Sequence, residues 1–543
     1  MCVATASRRV KFWGWGYEDE QRSAAEVQEA AAGIRQHLGF APADAEAPVE
    51  LDAIELPAPR LEPPAALAHI CSSEPYERVS HAQGKGYRDV VRAFRGRVDN
   101  PPDVVARPRD EPEVEAVLEW CADAGAAAIP YGGGTSVVGG VEPRIDEGSY
   151  AGAVSIDLHA LNRVLEVDPT SRAARIQAGA PGPALEDQLR PHGLTLRHFP
   201  QSFELSTLGG WIATRAGGHF ATRLTHVDDL VESVRAITPS GEWASRRLPG
   251  SGAGPSPDRF LLGSEGILGV ITEAWMRLQA RPRWRTSASV LFETFAAGSE
   301  AVRELSQSGL EPSNCRLIDA AEAAVTGAAV DGRSLLVLGF ESADHPLDAW
   351  MARALECCNA HGGEAPEGAR HTGPGDERGR DSGSGAWRAA FLAAPYLRDT
   401  MVLAGVFTET FETAITWDRA GSFVEEVRET AEAALRDIAG AGTVTCRFTH
   451  VYPDGPAPYF TMLAPAVRGG ELEQWDAVKA AASDAVIAAG GTITHHHAVG
   501  RDHRRWYDRQ RPEAFARALR AAKAEVDPRA ILNPGVLIDP ARG

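Results

Sequence analysis

"PYGGGTSVVGG", Pro130 to Gly140, sets a run of three glycines, then Thr135 and Ser136, directly after an apolar "AAAI" that reads as a short strand. Glycine turns without steric cost and lets a ligand come close to backbone amides. A curl of successive amides makes a nest for phosphate oxygens, and the Thr135 and Ser136 hydroxyls add donors. The spacing is neither G-x-G-x-x-G nor the Gly-Lys-Ser/Thr of a Walker loop. Taken alone, such a loop is more often a plain turn than a phosphate cradle. Two further glycine- and hydroxyl-rich stretches follow it, "QSFELSTLGGWIATRAGG" at 201–218 and "GSEGILGVIT" at 263–272. Three such segments suit one long, phosphate-bearing cofactor touched at several points.

Outward from the loop, strands and helices mix. "EPEVEAVLEWCADAG" has apolar residues at helical spacing and ends in glycine, and "GPALEDQLRPHG" also reads as a helix. "GAVSIDL", "VLEVDPTSRAARIQAG" and "VESVRAITPSGEW" read as strands with turns. An α+β domain over 99–279 is expected. Before it, 1–98 contains a Pro/Ala/Glu-rich connector at 41–66. After it, "SLLVLGFE" and "FVEEVRETAEAALRDIAG" indicate a second α+β domain over 280–475. Within that domain, "EGARHTGPGDERGRDSGSG" at 367–385 reads as a mobile loop. The last segment, 476–543, carries "GGTITHHHAVG", with "GGTIT" read as a strand, and closes on the helix "EAFARALRAAKAEVDP".

Bulk composition narrows the function classes. At 543 residues, more than one hydrophobic core is expected. A net charge of -19 argues against a general nucleic-acid or anionic-membrane binder. The 7 cysteines include no CxxC, so neither a disulfide framework nor a cysteine zinc site is expected, and a reducing compartment suits them. The N-terminus lacks the apolar core of a secretory signal, no run is long enough to span a bilayer and no peroxisomal address stands at the end. A cytoplasmic, bacterial-type protein is the expectation.

The ordered set "PDVVARP", "PYGGGTSVVGG", "LSTLGGWIATRAGG" and "GSEGILGVIT" resembles the flavin-binding domain of the vanillyl-alcohol-oxidase and p-cresol-methylhydroxylase superfamily. That resemblance implies two α+β subdomains holding FAD, with an α+β cap domain for the substrate. Carried over by position, the FAD contacts are Pro130, Tyr131, Gly132, Gly133, Gly134, Thr135 and Ser136 in the first loop. The second stretch contributes Gln201, Ser202, Ser206, Thr207, Gly209, Gly210, Thr214, Arg215, Ala216 and Gly217. The third contributes Glu265, Gly266, Leu268, Gly269, Val270 and Ile271. No histidine or cysteine stands out as a covalent flavin anchor, so non-covalent FAD is expected.

Outside that domain, "VKFWGWGYEDE", "CRLIDA", "PYLRDT", "TCRFTHVYPDGPAPYF" and "THHHAVG" are similar to the alkyldihydroxyacetonephosphate synthase family. Sister 2-hydroxy-acid dehydrogenases carry Glu-His-Gly where this chain has the histidine triplet. The resemblance implies a lipid reaction: the acyl group of acyl-dihydroxyacetone phosphate is exchanged for a long-chain fatty alcohol, giving an ether bond without net oxidation. In the family the flavin acts as a nucleophile through N5, and a group on the protein takes and returns a proton. Matching positions make Tyr459 the proton shuttle, Arg398 the substrate-binding arginine and Arg316 a further arginine required for activity. A phenol ordinarily titrates near pH 10, so Tyr459 needs help from neighbouring cations.

His495, His496 and His497 read as an active-site wall that orients substrate and moves protons. Along a strand His495 and His497 face one way and His496 the other, so no metal site is expected. Arg501, Arg504 and Arg505 supply either a positive field or a solvated helix face. The rival reading is an FAD-dependent dehydrogenase or oxidase of a 2-hydroxy acid or other alcohol. The missing Glu-His-Gly and the presence of Tyr459, Arg398 and Arg316 favour the transferase. Peripheral membrane contact and a homodimer are both compatible with the sequence.

Overall fold

The computed structural model describes residues 8–38, 40, 43–146, 148–326, 328, 331–376 and 394–539. Helix Glu111–Ala124 shows how the sequence builds the first layer. Asp110 caps it by accepting from the Glu113 amide, Pro112 sits in its first turn, and Gly125 ends it in the left-handed region at φ 64°. Its buried stripe, Val114, Val117, Leu118 and Cys121, packs on a four-stranded sheet. That sheet holds β1 (Cys71–Ser72), β2 (Val104–Ala106), β3 (Ala127–Tyr131) and β4 (Ala153–Asp157) in the order β1-β2-β4-β3. The parallel central strand β4 is buried at every position, which is why "AVSID" lacks alternation.

A second sheet is antiparallel, with the order β5-β6-β10-β8-β9. Its strands are β5 (Val164–Asp168), β6 (Ala173–Gln177), β8 (Val231–Thr238), β9 (Gly241–Ala244) and β10 (Val270–Arg277). β7 (Leu194–Thr195) and β11 (Gln279–Ala280) form a small ribbon beside it. The third sheet has seven strands: β12 (Trp284–Phe292), β13 (Asn314–Ile318), β14 (Ser334–Ser342), β15 (Arg370–Thr372), β16 (Val406–Glu412), β17 (Thr443–Val451) and β18 (Pro456–Pro465). They run in the order β15-β12-β14-β13-β17-β18-β16.

Period-two patterning on the third sheet positions the site. Phe407, Phe411, Phe460, Met462, Val444, Cys446 and Phe448 point into the largest hydrophobic core. The intervening Thr408, Thr410, Thr445, Thr449, Tyr459 and Thr461 face a cavity instead. Register places Arg447 opposite Tyr459 on one side and Glu412 opposite Tyr459 on the other. The three form one row across β17, β18 and β16.

Three sequence expectations are corrected here. "GGTIT" is not a strand: after helix Glu471–Ala488 the chain turns at Gly490, φ 83°, and 491–500 is an irregular loop. The reason is the buried Glu412 carboxylate, which accepts the amides of His495, His496 and His497 together. In a strand those amides would alternate in direction and could not share one acceptor. The stretch 367–385 is not wholly a loop, because β15 pairs with β12 at the sheet edge; 377–385 lies outside the described residues. The boundary between 475 and 476 falls inside helix Glu471–Ala488, which packs on helix Trp417–Ala439.

The terminal segments are also shared among the layers. Trp13 and Trp15 join the core of the third sheet, and β1 joins the first. Ile531 and Leu532 complete the first core, and Val536, Leu537 and Ile538 complete the second. No helix among the described residues is long and apolar enough to cross a membrane.

Candidate active site between the glycine loops and the third sheet

A cavity of about 340 Å³ lies between the glycine loops and the polar face of the third sheet. Gly132, Gly133, Gly134, Thr135 and Ser136 line it, with Gln201, Ser202, Ser206, Thr207, Gly210, Thr214, Ala216 and Gly217. The cradle is tight. A Cβ on Gly133 would stand 1.9 Å from the Leu205 carbonyl oxygen, and one on Gly132 would stand 2.3 Å from Thr207 Oγ1. Gly134 has φ 63°. Among the described residues nothing accepts from the amides of Gly133, Gly134 and Thr135, and the buried Thr207 hydroxyl has no partner. Unpaired donors converging on a cavity are what an anionic pyrophosphate requires, so these residues could hold FAD.

The structure does not bring every expected contact to this cavity. Tyr131 faces a neighbouring cavity, and its hydroxyl donates to the Ser80 carbonyl. Pro130 lies on β3, Gly209 packs its Cα on Ala178, and Arg215 pairs with Asp228. Glu265 turns its carboxylate to the Val499 and Gly500 amides, and burial pushes its pKa up to about 7. Gly266, Leu268, Gly269, Val270 and Ile271 lead into β10, and none of them lines the cavity; Leu268, Val270 and Ile271 are buried there.

On the opposite wall stand Tyr459, Arg447, Arg398, His450, His496 and His497. Tyr459 is 4% exposed. Burial raises its pKa, while Arg447 and Arg398 pull it down. The Arg447 guanidinium lies 4.0 Å from the centre of the Tyr459 ring and is ion-paired with Glu322. The His497 ring meets the Tyr459 ring edge to face at 5.6 Å, and His496 lies parallel to it at 6.3 Å. Arg398 donates to the Lys85 carbonyl and reaches the cavity from the helical residues 394–403. Those residues are tied to the N-terminus: Asp399 accepts from the Trp15 amide and pairs with Lys11, which sets Trp15 in the cavity wall.

Arg316 sits behind this wall, 1% exposed, donating to the His219 carbonyl. Burial pushes its pKa down to about 9. Glu412 organises the histidines. Besides the three amides, it accepts from the Thr494 hydroxyl at 2.5 Å. Its charge favours protonated imidazoles, yet burial outweighs it and all three histidines are held below their ordinary pKa. His495 does not line the cavity. It stands behind His496, with Nε2 at 2.7 Å from the Tyr452 hydroxyl. Arg501 donates to the Glu142 and Pro534 carbonyls, Arg504 pairs with Asp508, and Arg505 covers Trp506, so none of them charges this cavity.

Sequence reasoning missed Arg447, Glu412, His450 and Trp15. Arg447 was findable: a hairpin folded at "PDG" puts it opposite Tyr459. Glu412 carries no local signal.

Known proteins share this architecture. An FAD binding domain family matches residues 102–245, and a family of C-terminal domains of FAD-linked oxidases matches 281–537. The alkyldihydroxyacetonephosphate synthase of Dictyostelium discoideum is 31% identical over 85% of this chain and 77% of its own length. That of Caenorhabditis elegans is 31% identical over 86% of this chain and 81% of its own. A solved alkyldihydroxyacetonephosphate synthase structure superposes with a TM-score of 0.80 at 25% identity, covering 97% of each chain. p-Cresol methylhydroxylase, at 16% identity and a TM-score of 0.66 over 95% of this chain and 98% of its own, shares the fold. The chain belongs to the alkyldihydroxyacetonephosphate synthase family and is an FAD-dependent enzyme of that type.

Proposed function

We propose that this enzyme exchanges the acyl group of an acyl-dihydroxyacetone phosphate for a long-chain alcohol, without net oxidation, with FAD held non-covalently in the glycine cradle. The observation that carries this reading is Tyr459 with Arg447 opposite it on β17, both lining the glycine-walled cavity. It puts one phenol between two cations and two neutral imidazoles.

When bound in the cradle of Gly132, Gly133, Gly134 and Thr207, the flavin would supply the nucleophile for the exchange. The chain's own groups do the rest. Tyr459, starting as the phenolate that Arg447 against its ring stabilises, takes a proton from the substrate carbon, holds it as the neutral phenol and later returns it. Arg398 grips the phosphate with a fork of donors. His496 and His497, held neutral, each offer one donor and one acceptor, enough to orient the departing carboxylate and receive the alcohol's proton. Val325, Leu397, Met401 and Leu463 line the same cavity and suit an alkyl tail.

One experiment tests the whole reading. Purified protein is given acyl-dihydroxyacetone phosphate and a labelled long-chain alcohol with no electron acceptor. Labelled ether and free fatty acid are expected in equal amounts. Tyr459→Phe is expected to keep its flavin absorbance and lose about 100-fold or more in rate. Product that forms only with an acceptor, or a Phe variant as fast as wild type, refutes the proposal.

A further inference from the structure

Beside Tyr459 three histidines from two distant segments meet. His450 comes from β17, and His495 and His496 come from the loop held by Glu412. One ring nitrogen from each lies within 4.8 Å of the others. His495 Nδ1 and His496 Nδ1 face each other at 3.0 Å. The far side of two rings is already engaged: His450 Nε2 donates to the Gly218 carbonyl at 3.0 Å, and His495 Nε2 meets the Tyr452 hydroxyl at 2.7 Å. That leaves His450 Nδ1 buried with no partner and its lone pair facing inward, because the Gly218 bond fixes the proton on Nε2.

This is the donor set of a transition-metal site. Neutral imidazoles anchored through their other nitrogen form the outer-shell arrangement that metal-binding histidines use. Two histidine nitrogens on one tetrahedral zinc stand about 3.3 Å apart, from Zn–N bonds of about 2.05 Å. The His495–His496 pair, hydrogen-bonded at 3.0 Å, is near that spacing once its shared proton leaves, and the His450 nitrogen, within 4.8 Å of both, closes in to complete the set. An all-imidazole set excludes calcium and magnesium, which take oxygen ligands. Glu412 Oε2, 3.4 Å from His496 Nδ1, offsets the added charge, whereas Arg316 opposes it. His450 and His496 line the cavity, so a fourth position opens toward it. Because 491–500 is an irregular loop and not a strand, His495 and His496 do not alternate to opposite faces.

We infer that His450, His495 and His496 form a three-imidazole site for one divalent cation of the zinc class, with its open position on the reaction cavity. A second consequence rests on the reaction proposed above: the cation takes the lone pair that His496 needs, so zinc inhibits acyl exchange and a chelator restores it.

The test uses the flavin-loaded enzyme, stripped with a chelator and titrated with zinc chloride by calorimetry. One strong site per chain is expected. His450→Gln should weaken it by about tenfold or more, since even outer-shell losses cost about 10–100-fold. Replacing the exposed His345 by Gln should leave it unchanged. Flavin absorbance of His450→Gln reports whether that variant has folded. Should it not fold, zinc-edge X-ray absorption on the wild type decides, with three imidazoles expected. No stoichiometric site, an unweakened His450→Gln, or fewer than three imidazoles overturns the inference. Calorimetry and absorption do not read turnover, so this inference can fail while the proposed reaction stands, and the reverse.

Discussion

The two walls of the cavity are built on opposite principles. The glycine wall presents backbone: unpaired amides held by turns that no side chain would tolerate. The histidine wall presents side chains, and they stand where they do because one buried carboxylate gathers three consecutive amides. The donors of the first come from consecutive residues of one loop, packed against Leu205 and Thr207. The second is a long-range property, since Glu412 and His495 are 83 positions apart in the chain. Binding and chemistry should therefore be separable by mutation.

The sharpest way to break the comparison is Glu412→Gln. The amide turns a pure acceptor into a group with two donors, facing amides that also donate. The loop must rearrange, with a stability cost of about 1–3 kcal/mol for the unsatisfied buried groups. Acyl exchange should fall about 100-fold or more while flavin absorbance is retained. Equal losses of flavin and activity would show that the walls are not independent.

Gly133→Ala should do the reverse. Its Cβ meets a backbone carbonyl at 1.9 Å, so the cradle itself has to shift, an overpacking cost of about 1–3 kcal/mol. FAD affinity, measured by fluorescence titration, should drop about 10–100-fold, and excess FAD should restore turnover. If added FAD does not rescue it, the glycine loop also shapes the chemistry.

The smallest effect concerns the scaffold beside the histidine wall. His503 donates Nδ1–H to the Ala498 carbonyl, and burial pushes its pKa down to about 3. A base whose pKa is lowered on folding is bound neutral. Its contribution is therefore intact above the unfolded pKa of about 6.5 and is lost as pH falls toward 3. Between pH 7 and 5 wild type should lose about 2 kcal/mol relative to His503→Gln, the slope steepening below the unfolded pKa. Parallel stability curves from denaturant melts at pH 7, 6 and 5 would show that His503 is not held neutral by its burial.

The same local-versus-distant contrast explains what could be read from the sequence. Helix Glu111–Ala124, strands β3 to β6 and the glycine cradle were legible because caps, alternation and glycines act over a few residues. Tyr459, Arg398, Arg316 and the triplet are expectations from family likeness, and the structure brings Tyr459, Arg398, His496 and His497 to one cavity. The course of "GGTITHHH" was misread because its β-prone residues are overridden by a carboxylate that only the fold supplies. Glu265 is instructive in the other direction. Its motif was recognised, but its carboxylate ties down Val499 and Gly500, so motif membership did not fix the partner.

The closing stitches of the flavin lobe come from residues much later in the sequence: Leu532 bridges to Ala128, and Lys523 donates to the Ile267 carbonyl. During synthesis on the ribosome, that lobe must therefore wait with open seams until Lys523 and Leu532 have emerged. A nascent chain stalled before residue 513 should engage chaperones and hold no flavin, however complete its glycine loops already are.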